Sequence, residues 1–214
     1  MTTSFKNILD FLKRDFWLVF RNSVLLTSFY LFIIPVIRGI ANLDTIQSAQ
    51  CFSQSAAFVG ILILVPIVRY ELEISIKEVI CTRTWSYLRS VVVRLCCGFA
   101  IISVLIIGFA WIMKNNNCTF SFWTYVFSTI LYAGFMGIVG ILFSQMAGSV
   151  IVGYLTSLGY WSLCQLEIIA ENNVLYLFPI VSGDFEMRKM IALILILAIL
   201  IDGIVVSIKF DYQI

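Results

Sequence analysis

The side chains able to do chemistry are concentrated at one address. Residues 69–89 read RYELEISIKEVICTRTWSYLR, with Glu71, Glu73 and Glu78 set among Arg69, Lys77, Arg83 and Arg89, and Arg94 lies just beyond. Long apolar runs flank this island on both sides. A chain that keeps so much of its charge in one short internal segment presents ion-pairing groups to something. Within the island, Leu72, Ile76, Val79 and Ile80 recur at helical spacing, while Glu71, Glu73, Lys77 and Glu78 fall largely on other faces. Glu73 and Lys77 stand four apart in the favourable order, a pairing that contributes ~0.2–0.5 kcal/mol. The spacing predicts a short amphipathic helix suited to docking; a plain solvated loop is the alternative.

A second candidate is Asp202, inside the last apolar run. A lone carboxylate at bilayer depth costs roughly 2.5–3.5 kcal/mol on insertion scales, so it should meet protein, water or a partner. Two readings stand: a substrate, ion or proton contact, or a hydrated acid near the inner interface. Other chemistry is excluded by residue type. The chain has no histidine, which removes Ser-His and Cys-His hydrolysis, H-E-x-x-H metalloproteases and histidine-ligated haem. No G-x-x-x-x-G-K-[ST] run occurs, so no P-loop is present. Six cysteines fall outside any C-x-x-C pairing and complete no zinc site. Cys51 and Cys118 lie near the outer ends of different apolar runs, where a bridge is open to them; the plainer reading is thiols acting as small apolar residues. Neither a metal nor a cofactor is expected in this chain, and it is not expected to be an enzyme.

These groups must be positioned by elements suited to an unusual solvent. Hydrophobic residues make up 61% of the chain and charged residues 12%, with a mean hydropathy of +1.02. A soluble domain has to cover itself with polar groups, so bilayer is the medium that fits. Crossing about 30 Å of hydrocarbon takes roughly 20 apolar residues. Six runs qualify: 23–41, 51–68, 90–113, 120–143, 147–168 and 190–208. The fourth and fifth are separated only by a tight turn near Ser144 to Gly148. The expectation is one all-α membrane domain over residues 1–214, with six spans. The first run starts too late, after a charged segment, to read as a cleaved signal peptide.

Orientation follows from the cations. With the N-terminus inside, Lys6, Lys13, Arg14, Arg21, Arg69, Lys77, Arg83, Arg89, Arg94 and Lys209 face the cytoplasm, while Arg38, Lys114, Arg188 and Lys189 lie outside. That bias obeys the positive-inside rule. Both termini and the 69–89 island are then cytoplasmic, in the plasma membrane. A net charge of +2 does not point to nucleic acid.

Three further stretches have readable roles. Residues 4–20, SFKNILDFLKRDFWLVF, place Phe5, Ile8, Leu9, Leu12, Phe16 and Val19 at helical spacing, with Ser4 as N-cap, which predicts an amphipathic helix lying in the interface. Ala133/Gly137, Gly140/Ser144 and Gly153/Ser157 are four apart, the small-xxx-small pattern of closely packed membrane helices, within one chain or along a dimer seam. Residues 171–187, ENNVLYLFPIVSGDFEM, are polar at the ends and apolar in the middle. They are expected to form an outer re-entrant or interfacial element, with Pro179 and Gly183 breaking any helix. Arg38 and Glu167, at outer ends, are weak site candidates, and Trp85, Trp111, Trp123, Trp161, Tyr125 and Tyr160 fit an aromatic belt.

This order of parts resembles the permease subunits of type-2 ABC exporters. The local likeness lies in RYELEISIKEVICTRTWSYLRSVVVRL, residues 69–95, and in YLFPIVSGDF, residues 176–185; Arg83 and Thr84 stand where a proline is common. The resemblance implies that 69–89 is the coupling helix, with Glu71, Glu73, Lys77, Glu78 and Arg83 facing a separate ATP-binding-cassette subunit that holds ATP and Mg. It also implies a second permease chain in a dimer, embedded in membrane lipid. Such an exporter would move an amphipathic or hydrophobic substrate outward, such as a bacteriocin-like antimicrobial peptide, a lipid or a drug. The other readings are an ATP-independent channel, carrier or immunity protein, a vitamin-binding subunit of an importer, and a membrane-embedded enzyme.

Overall fold

A computed structural model of the protein describes residues 19–39, 41–68, 87–170, 173–179 and 187–211. All regular structure among these residues is helical. Six helical segments succeed one another: α1 (Arg21–Arg38), α2 (Thr45–Val68), α3 (Tyr87–Asn115), α4 (Phe122–Ala147), α5 (Val150–Gln165) and α6 (Met187–Asp211). Each coincides with one of the six apolar runs. Four hold stretches long and apolar enough to cross a membrane: Thr45–Val68, Val91–Asn115, Phe122–Ala147 and Met187–Ser207. α1 and α5 are shorter, at 18 and 16 residues.

α5 departs most from expectation. Its run suggested 147–168, yet the helix begins at Val150 and stops at Gln165. Backbone geometry at both ends is the reason. Gly148 turns left-handed (φ 64°) and closes α4, with its N–H and that of Ser149 donating to carbonyls of the last turn. Glu167 takes φ 56°, and the N–H of Ile168 turns back to the Leu163 carbonyl at 3.2 Å. α4 in turn runs past the expected 143 to Ala147. The helix expected over 4–20 lies outside the described residues except Val19 and Phe20, both buried. The 69–89 segment lies outside them too, apart from 87–89, which already belong to α3.

The bundle is built around α4, which packs against α2, α3, α5 and α6. Burial follows that order. In the apolar windows 72% of α2 and 67% of α4 is buried, against 33% for α3 and 17% for α6. α2 and α4 are therefore the interior pair, and the others turn an apolar flank outward. Leu25, Phe29, Phe32 and Val36 on α1, with Ile191, Leu195 and Ile199 on α6, stand exposed. A water-soluble monomer rarely shows so much contiguous apolar surface, whereas lipid solvates it at no cost.

Between apolar helices in lipid there is no hydrophobic drive to associate, so contact must come from close packing. The small residues supply it. A Cβ at residue 60 would collide with the Ala133 carbonyl, and one at residue 137 would stand 2.8 Å from the Gly60 carbonyl oxygen. α2 and α4 thus meet backbone to backbone through Gly60, Ala133 and Gly137. On the other flank, a Cβ at residue 140 would lie 2.6 Å from Ser157 Oγ, and one at residue 153 would strike Ser144 Oγ. Ser157 Oγ donates across to the Met136 carbonyl at 2.9 Å. All three small-residue pairs are therefore spent inside the chain. Among residues 173–179, Tyr176, Leu177 and Phe178 are buried in the same cluster as Tyr132, Phe135, Met190 and Leu193. This stretch of the 171–187 segment is covered by protein.

These contacts make a graded expectation. Gly60→Ala and Gly153→Ala force helices apart and should each cost about 1–3 kcal/mol. Gly159, with nothing within 4 Å of its Cβ position, tolerates Ala and gains about 0.5–1 kcal/mol from helix propensity. Thermal unfolding in one detergent should rank Gly159→Ala above the wild type and the other two below it.

Candidate functional site

The most chemically distinctive place among the described residues is a break in α2. Its first turns, Thr45–Gln50, are α-helical and opened by Asp44, whose N–H donates to Gln47 Oε1 at 3.4 Å, one half of a capping box. The next turn, Cys51–Ala56, is a π-helix, followed by α-helical Phe58–Leu64 and 3₁₀-helical Val65–Val68. Changing ladder period from four to five and back leaves carbonyls without their usual partners, and such turns recur at functional sites. Here side chains from two other helices answer them. Tyr30 Oη on α1 donates to the Ser55 carbonyl at 3.0 Å, and Trp161 Nε1 on α5 donates to the Gln54 carbonyl at 3.2 Å.

A guanidinium joins this seam. Arg38, in the last turn of α1, donates through Nη2 to Gln54 Oε1 at 3.1 Å, and its side chain is exposed. Phe58 fills the space beneath, edge-on to Tyr30 (6.2 Å between centroids) and tilted against Trp161 (4.9 Å). The result is a half-buried patch of one cation, one amide, one phenol and one indole, shared by α1, α2 and α5. Its phenol and indole donors are spent on the α2 carbonyls and Arg38 Nη2 on the Gln54 amide, and it holds neither a nucleophile–base pair nor a carboxylate. Among the described residues no group of three or more His, Cys, Asp or Glu comes together as a metal site.

The residues expected from sequence are distributed differently. Glu71, Glu73, Lys77, Glu78 and Arg83 lie outside the described residues. Arg94, grouped with that island, is buried on α3. Asp202 is exposed on α6, the least buried of the four apolar helices, so it looks away from the interior of this chain. Glu167 is exposed at the end of α5, at the left-handed turn. Cys51 and Cys118 both stand as buried thiols in one core cluster, beside the paired loops in which the Thr119 N–H donates to the Leu43 carbonyl at 3.1 Å. Of the weak candidates, Arg38 is the one that joins a built polar arrangement.

Gln54, Ser55 and Tyr30 were passed over in the sequence, and Trp161 was assigned to an aromatic belt. One signal was available: Ser53-Gln54-Ser55 is a polar triplet inside an otherwise apolar run. A helix that keeps such a triplet at bilayer depth has partners for it.

No family model, characterised protein or solved structure matches this chain. The class defined here is accordingly the coarse one, an all-helical chain with four helices long and apolar enough to cross a membrane.

Trp161→Phe keeps a ring against Phe58 and removes the donor to Gln54, and should cost about 1 kcal/mol, the net worth of one hydrogen bond. Gln54→Leu should leave that bond intact and free the Arg38 guanidinium. Thermal unfolding reads the first; faster modification of Arg38 by an arginine-selective dicarbonyl reads the second.

Proposed function

We propose that this chain is the membrane-spanning subunit of an ATP-driven exporter of the type-2 ABC kind. One observation carries the reading: a mixed-charge segment, 69–89, joins two apolar helices in a chain that has no nucleotide motif of its own. An ATPase on a separate polypeptide gives such a segment something to dock on. Supporting it are the succession of apolar helices and the covered Tyr176–Leu177–Phe178 stretch before α6.

In this reading all six helices span. α1 and α5 reach across with about 24–27 Å of helix, the deficit being met by local thinning and by snorkelling end residues such as Arg21 and Arg38. The protein sits in the plasma membrane with both termini in the cytoplasm. Two permease chains form the dimer, and each engages one ATPase through 69–89, with Glu71, Glu73, Lys77, Glu78 and Arg83 as the contact groups. ATP-driven closure of the ATPases pushes on these helices and tilts the two halves, opening a path for an amphipathic or hydrophobic cargo. The push does work only if the docked helix makes different contacts in the two states.

The chain itself is a transport subunit, with ATP and Mg held by the partner. Asp202, exposed on α6, is a candidate substrate or ion contact for a cargo or partner arriving from outside the bundle.

A tagged chain purified gently from native membranes should bring down a P-loop ATPase in stoichiometric amount. Glu73→Arg should leave insertion unchanged, abolish export and release that ATPase. Recovery of the chain alone from several mild detergents would favour an ATP-independent channel, carrier or immunity protein instead.

A further inference from the structure

α1 leans on α2 and stands off from α3, leaving a crevice of about 240 Å³ between α1 and α3. Leu31, Phe32 and Pro35 form one wall; Val104, Gly108 and Ile112 form the other. The walls are made by shape as much as by polarity. Pro35 removes a donor from the helix ladder. Gly108 has nothing within 4 Å of its Cβ position, so the α3 wall is open at that point. Phe32 and Val104 are 75% and 70% exposed, and the crevice is therefore open along its side to the surroundings.

Position and charge say what fills it. The α1 wall covers residues 28–35 and the α3 wall 104–112, which at 1.5 Å per residue is roughly 10–12 Å of helix. Both walls end one turn short of a helix terminus, at Arg38 and Asn115. The crevice thus begins near the end of the bundle and descends most of one leaflet, whose hydrocarbon is about 15 Å deep. At that end stand two exposed cations, Arg38 and Lys114. Gln54 takes one hydrogen bond from Arg38, and Lys114 Nζ lies 5.6 Å from the Phe120 ring. Asp44, the sole acid in the sequence between 39 and 68, is occupied as the N-cap of α2.

We infer that this crevice is a binding site for an anionic phospholipid, one acyl chain lying between α1 and α3 and the phosphate held at the Arg38 and Lys114 end. Apolar walls at acyl depth, below cations at headgroup depth, match the two parts of such a molecule in order and in length. Each basic residue at a lipid surface contributes about 1 kcal/mol toward an anionic headgroup, and the open wall at Gly108 admits the chain. The inference rests on the membrane reading above and is independent of the ATPase partner.

The test uses full-length protein reconstituted in vesicles of equimolar phosphatidylglycerol and phosphatidylcholine, then re-extracted in mild detergent for native mass spectrometry. Phosphatidylglycerol should be retained over phosphatidylcholine about thirtyfold, the combined effect of the two cations. Gly108→Leu, whose Cβ meets nothing within 4 Å, puts a side chain into the crevice lining and should strip the retained lipid. Arg38→Gln should keep a lipid and lower the headgroup preference to about fivefold, the share left to Lys114. A phosphatidylglycerol with a photoreactive acyl chain, used on the unmutated protein, should attach within 28–35 and 104–112. Adducts confined elsewhere, or full lipid retention in Gly108→Leu, would overturn the site, and equal retention of the two lipids would overturn its anionic preference. Release of the chain from membranes by alkaline wash would instead defeat the membrane reading itself.

Discussion

Close backbone contact at α4 is the constraint on which the other features depend. Helices in hydrocarbon gain nothing by hiding apolar side chains from one another, so they must touch at short range to stay together. α4 does this on two flanks at once, through Gly60 against Ala133 and Gly137, and through Gly140 and Ser144 against Gly153 and Ser157. With α2 and α5 clamped to α4, their mutual orientation is set. Trp161 then reaches the Gln54 carbonyl of α2, and the π-helical turn gains a partner it would otherwise lack.

That arrangement leaves α1 and α6 at the periphery, and the peripheral helices carry the groups that face outward. α1 is held to α2 by the Tyr30 and Arg38 hydrogen bonds, while its Leu31, Phe32 and Pro35 line the gap toward α3. α6 packs chiefly on α4 and exposes most of its length, so Asp202 is displayed to whatever surrounds the bundle.

Much of the architecture was legible in the sequence, and for a plain reason. Backbone groups in hydrocarbon must be satisfied within their own segment, so a long apolar run has essentially one local solution, the helix. The six runs and the six helices therefore agree, and the four-residue spacing of small side chains identified the packed faces of α4 and α5. Of the six expected spans, four have the length and apolarity to cross a membrane, and α1 and α5 are shorter. α5 is cut back to Val150–Gln165 because Gly148 and Glu167 adopt left-handed backbone, a choice that hydropathy does not register.

The candidate site was far less legible. Hydrophobicity and residue type determined the all-helical, membrane class and the helical elements. Only the tertiary structure decided that α2 breaks into a π-turn at Cys51–Ala56, that Tyr30, Arg38 and Trp161 converge on Gln54 and Ser55, and that a crevice opens between α1 and α3. These depend on how far each helix is rotated and tilted against neighbours as much as 107 residues away in sequence. A 3.6-residue period tells which residues share a face; the facing partner is chosen by packing alone.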